Sequence, residues 1–313
     1  MLSLTADSPP VVRDLGLVAR FRWAVRTDAE AAGFSPMAVG WLLWAPVVLG
    51  VMVASTVVNR ALFVWILRDD HPIEWAQFGL VFGASIVAAM AAYRLARQRR
   101  PGLAFVFVLF ALGSFMLAGE EISWGQRVLA IATPASLGTL NTQKELNIHD
   151  ISAGGLPIEQ AFEFVELLLA LGGTVLPLIV RLRSPGRGDG VPPGPFGGLW
   201  RALSPALVLV PGFAVMFAYR FVRTFVLPRS YDAIVGYQEY VELWFYFGLA
   251  MLAICNYSQT RLRRLGRHVL GGGQGAGSRV QVFSLPVIVV AAISTAVTIV
   301  LALLTMLSGA LPG

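Results

Sequence analysis

Residues 101–119 read PGLAFVFVLFALGSFMLAG, an unbroken run without an ionisable side chain. As a helix this run rises about 28 Å, close to the roughly 30 Å hydrocarbon core of a bilayer. It does not alternate polar and apolar residues, as a barrel strand of about 10 residues would. In lipid each backbone N–H and C=O must be paired within its own segment, so such a run is a helix. Comparable runs recur along the chain, at about 37–58, 73–93, 101–119, 158–180, 200–219, 238–257 and 284–307. The fold expected is an all-α integral membrane bundle of about seven transmembrane helices. Composition agrees: 56% of the 313 residues are hydrophobic and 13% charged, against roughly 25% charged in soluble domains.

Helix-start chemistry supports these limits. Ser35-Pro36 places a hydroxyl before a first-turn proline, and prolines stand similarly at Pro72, Pro101 and Pro157. Pro177, Pro205 and Pro211 fall within expected spans and predict kinks. Residues 1–35 form an N-terminal segment without the unbroken apolar core of a signal peptide. Within it, 11–26 is expected as an interfacial helix with arginines toward the headgroups. Residues 36–313 make up the bundle, with a re-entrant or capping loop at 120–157 between the third and fourth spans. Segments 184–198 and 266–279 read as Gly/Pro-rich linkers, and GGGQGAG at 271–277 lacks the Lys-Ser/Thr of a phosphate loop. The single cysteine, Cys255, permits no internal disulfide and reads as a small core residue.

Charge is distributed by side. The N-terminal segment and the loops near 94–100, 181–201 and 258–283 hold 17 of the 24 basic residues and five of the 18 acids. The positive-inside rule makes this side cytoplasmic, with the N-terminus inside and the C-terminus outside. The net charge of +6 is therefore a topology signal. The arginine loops lack the interleaved aromatics of a nucleic-acid surface, and no nucleic-acid partner is expected.

The opposite side carries the polar chemistry. Residues 119–150 read GEEISWGQRVLAIATPASLGTLNTQKELNIHD. Glu120, Ser123 and Arg127 share a helical face, with Glu121 and Trp124 beside it. Asn141, Gln143, Glu145, Asn147 and His149 then recur at every second position, which predicts an extended segment with five polar groups on one side. Glu159, Glu163 and Glu166 fall on one face of the fourth span. Glu239, Glu242 and Tyr246 do so on the sixth, and Arg220 and Arg223 on the fifth. Arg60, His71 and Glu74 border the first two spans. A charge deep in lipid costs about 2.5–3.5 kcal/mol on insertion scales, so these groups should face one another or water. An Arg–Glu network that locks helices together accounts for the same pattern.

GEEISWGQR followed by NxQxExNxHD, with Thr133-Pro134 between them, resembles a family of uncharacterised polytopic bacterial membrane proteins. The resemblance covers about a tenth of the chain and brings no reaction with it. It implies that Glu120, Glu121, Ser123, Trp124, Gln126, Arg127, Asn141, Gln143, Glu145, Asn147 and His149 belong to one shared feature.

Three functions suit an outward-facing polar cavity. The first is a membrane-embedded enzyme acting on a lipid or lipid-linked substrate, with Glu121, His149, Glu166 and Glu242 as candidate catalytic acids and bases. Glu120, Ser123, Trp124, Gln126, Arg127, Asn141, Gln143, Glu145, Asn147, Glu163, Arg220, Arg223 and Glu239 are its candidate binding residues. The four catalytic candidates are also the ligand set for any divalent metal, though no HExxH is present. No other cofactor is indicated. A Ser123–His149–Asp150 triad lacks a nucleophile elbow. The second function is a proton- or cation-coupled transporter. The third is a non-catalytic subunit that presents the period-two segment to a protein partner. Topology is directly testable. Alkaline phosphatase fused after residue 313 is expected to be active, and fused in the 184–198 linker inactive; the reverse pattern would invert the assignment.

Overall fold

The computed structural model describes residues 16–55, 58–59, 61–62, 65, 72–126, 128–129, 131–141, 145–148, 151–153, 156–182, 197–226, 237–269 and 285–307. Arg60, His71, Arg127, Gln143, His149, Asp150 and the 271–277 glycine run lie outside them, as does the Glu159 side chain.

The helices that build the fold are α1 (Leu17–Ala32), α2 (Pro36–Ser55), α3 (Pro72–Arg97), α4 (Pro101–Glu121), α5 (Ile158–Leu182), α6 (Val210–Phe225), α7 (Gln238–Val269) and α8 (Leu285–Leu307). Six stretches are long and apolar enough to cross a bilayer: Pro72–Arg97, Pro101–Glu121, Gln160–Val180, Leu207–Val226, Gln238–Thr260 and Leu285–Leu303. The chain is a multi-pass membrane protein. The first expected span is helical as α2 but is not one of these six, so a seventh crossing rests on sequence alone. Ser35 does cap α2, its Oγ accepting the Ala38 N–H at 3.2 Å.

Two expectations are corrected. The helix expected at 11–26 lies at 17–32, and one face of it is docked against the bundle. Val25, Ala29 and Ala32 are buried, and Asp28 accepts the backbone N–H of Leu207 at 2.7 Å. The fifth span starts later than 200. A short helix, Gly197–Leu203, stops before Pro205, a 3-10 turn covers Leu207–Leu209, and Pro211 sits in the first turn of α6. Proline has no N–H to give a helix interior, so these two prolines set helix ends, not kinks. Pro177 alone of the three lies inside a helix.

α7 is the central post: 83% of its membrane window is buried, against 17% for α8. This enclosure keeps the polar side chains of α7, among them Glu242, Asn256 and Ser258, away from lipid, where they would be costly. α7 packs on α3 and α6; α3 also packs on α4 and α8, and α6 on α5. Cys255 is buried on α7. Asn256, in a glycosylation-like Asn-Tyr-Ser, spends its amide on the carbonyls of Ala202 and Leu252.

Phe213 sets the spacing of α5, α6 and α7. Its ring presses against Gly173 of α5, where a Cβ would collide with it, and a Cβ at Gly248 of α7 would meet the ring at 2.8 Å. A Cβ at Gly212 would meet the Trp244 carbonyl at 2.8 Å. Arg220 lies two turns further along α6 on nearly the same face as Phe213, so the wedge also fixes how deep Arg220 sits. Phe213→Ala is expected to cost about 3–5 kcal/mol, read as a lower thermal midpoint in detergent. An unchanged midpoint would refute the wedge.

Candidate functional site

The acidic ends of α4, α5 and α7 converge on the arginine-bearing end of α6. Arg220, buried on α6, pairs with Glu163 at 3.0 Å and Glu166 at 2.5 Å, both on α5, and with Glu242 of α7 at 2.8 Å. Glu163 and Glu166 are three residues apart and share a helical face, so one guanidinium reaches both. With all groups ionised, three carboxylates around one guanidinium leave two formal negative charges in excess. Beside this cluster the Tyr246 hydroxyl donates to Glu121 at 2.9 Å, tying the end of α4 to α7. Glu242, Glu239 and Glu74 lie near enough to Glu121 to act on it through space. Carboxyl groups outnumber guanidiniums at this end, in a largely buried setting.

The loop after α4 is folded by its own side chains. Glu120 accepts from Trp124 Nε1 at 2.7 Å and from the Ile148 N–H at 2.6 Å. Ser123 bonds Glu145, and Gln126 bonds Thr133 while accepting the Leu146 N–H at 2.7 Å. Asn141 donates to both the side chain and backbone of Asn147, and its own oxygen accepts the Glu145 N–H at 3.2 Å. These bonds hold Ser123 and Trp124 at φ of 45° and 54°, left-handed values that non-glycine residues adopt at a cost of about 1–3 kcal/mol. Of the extended segment expected over 141–149, Asn141 forms an antiparallel bridge with Ile151, but the described stretch 145–148 is not extended. Residues 145–148 bend, and Asn141 and Asn147 turn toward each other. The short period-two pattern yields here to local side-chain-to-backbone bonding.

The candidate residues therefore divide. Glu163, Glu166, Arg220 and Glu242 form one cluster, with Glu121 and Glu239 beside it. Glu120, Ser123, Trp124, Gln126, Asn141, Glu145 and Asn147 bond the loop to itself and to the end of α4. Arg223 makes no ion pair among the described residues, and its Nη1 is buried without an acceptor. No three His, Cys, Asp or Glu side chains among the described residues are gathered as metal ligands. The carboxylates converge on a guanidinium.

Sequence reading missed a groove. α4 and α5 are not packed together, and between them lies a cavity of 610 Å³. Leu109, Phe110, Leu117, Val165, Leu169 and Leu176 give it apolar walls. Glu120 and Glu166 line its acidic end, and Trp200, Leu203 and Pro205 its other end. Ser114 lines it midway, buried, with an unbonded hydroxyl. The only available signals were the glycines Gly113 and Gly172 and a lone serine in apolar runs. No protein-family model matches the chain, and no curated protein or solved structure is significantly similar to it.

Arg220→Ala would leave three carboxylates buried without their counter-charge, and breaking a buried pair costs about 3–5 kcal/mol. Arg220→Lys is expected to recover only part of the loss, since an ammonium lacks the planar fork. Equal thermal midpoints for Arg220→Ala and the parent protein would remove the cluster from any account of the fold.

Proposed function

We propose that this protein is a membrane-embedded enzyme acting on a lipid or lipid-linked substrate, with its site at the non-cytoplasmic face of a bacterial inner membrane. One observation carries the reading: Glu166 belongs both to the Arg220 cluster and to the lining of the apolar groove. A lipid chain in the groove brings its polar head to a carboxylate that Arg220 orients. Sites for apolar ligands are commonly of this kind, apolar walls with a few convergent polar groups.

In this reading Glu166 touches substrate and serves as the acid or base, while Glu163, Arg220 and Glu242 hold it in place. Glu121 and Tyr246 flank the same end and supply a second hydrogen-bonded carboxylate. In the loop after α4, Glu120, Ser123, Asn141 and Asn147 are buried, which would limit water at that end. The groove's other end is apolar, which suits a hydrocarbon chain better than the continuous polar path that a transporter needs.

The test is turnover in vesicles of phosphatidylethanolamine and phosphatidylglycerol containing the purified protein, with lipids and released headgroups followed by mass spectrometry. Conversion by the parent protein should fall by about 100-fold or more in Glu166→Gln, the range for loss of a general acid or base. It should be unchanged in Glu30→Gln, since Glu30 pairs with Arg26 on the exposed face of α1. Full activity in Glu166→Gln, or no conversion by the parent protein, would overturn the enzyme assignment.

A further inference from the structure

We infer that the groove between α4 and α5 holds one hydrocarbon chain of a bilayer phospholipid whose headgroup carries an ammonium, seated at Glu166 and Glu120. The inference rests on the lipid reading above and adds the headgroup class. The first ground is charge. Glu120 and Glu166 line one end of the groove, and no basic side chain is among its lining residues, so that end presents carboxylate oxygens. An ammonium donates to such oxygens and balances their charge, whereas a headgroup with net negative charge would meet like charge.

The second ground is independent of the carboxylates. Ser114 is 2% exposed, faces the groove, and its hydroxyl has no hydrogen-bond partner. An unbonded buried hydroxyl is destabilising unless something absent from the chain bonds it. Ser114 lies six residues along α4 from Glu120, about 9 Å deeper. That is the zone in which a glycerolipid carries ester groups below its head, and an ester oxygen would accept from Ser114.

The third ground is shape. A Cβ at Gly113 or at Gly172 would meet nothing within 4 Å, so both glycines face open space. On α5 the groove's lining runs from Phe162 to Leu176, about 21 Å of helix. This exceeds half of the roughly 30 Å hydrocarbon core, so it accommodates a chain from one leaflet.

The probe is phosphatidylethanolamine with a photoreactive diazirine in one acyl chain, compared with the same chain on phosphatidylglycerol. Each is doped into phosphatidylglycerol vesicles containing the full chain, and labelled peptides are mapped. The ethanolamine probe should label 109–117 and 165–176 about tenfold more than the glycerol probe, the scale of one charged hydrogen bond. Gly172→Phe, remote from the carboxylates, should abolish groove labelling by both probes. Glu166→Gln should remove the headgroup preference while leaving groove labelling. Equal groove labelling by the two probes would overturn the ammonium inference and leave the lipid reading standing. Labelling outside these segments, or labelling indifferent to Gly172→Phe, would overturn both.

Discussion

A single guanidinium buried among carboxylates from two other helices is the constraint around which this bundle is arranged. Arg220 can be buried only where its charge is answered, and its answers stand on α5 and α7. Desolvating an ion is expensive, and the attraction repays it only when the geometry is close. The three helices must therefore meet at one depth and one rotation. Phe213 enforces that depth from below, its ring seated against glycines on both neighbours. Apolar packing and ionic pairing act on the same face of α6 and agree.

α4 is held differently. It packs on α3 along its length and is tied to α7 by Tyr246 and Glu121, yet it stands apart from α5. In water such a gap would be a defect. In a bilayer, hydrocarbon can fill it, because lipid tails and leucine side chains are equally apolar. The loop beyond α4 depends on its own hydrogen bonds, which offset the left-handed backbone at Ser123 and Trp124. Glu120 links that loop to the groove, accepting from Trp124 and Ile148 while lining it.

Legibility differed by element for physical reasons. The long apolar runs were readable because a helix is the only way to satisfy their backbone in lipid. Glu163 and Glu166 were readable as one face because helical period is local. The 141–149 pattern misled, since period two describes a strand only where no nearer partner competes, and Asn141 and Asn147 are each other's partners. Arg220 and Arg223 looked equivalent in sequence. Only one of them faces the carboxylates, which depends on the rotation of α6 against its neighbours.

The amino-acid sequence alone determined that the chain lies in a membrane, which segments are helical, which end collects acids, and which side chains share a helical face. All of these follow from solvation and local periodicity. The tertiary structure alone decided that Arg220 answers three glutamates, that the loop motif bonds to itself, and that α4 and α5 leave a groove ending at Glu166. Each depends on distances between residues far apart in the chain, and no local rule of hydropathy or spacing carries that information.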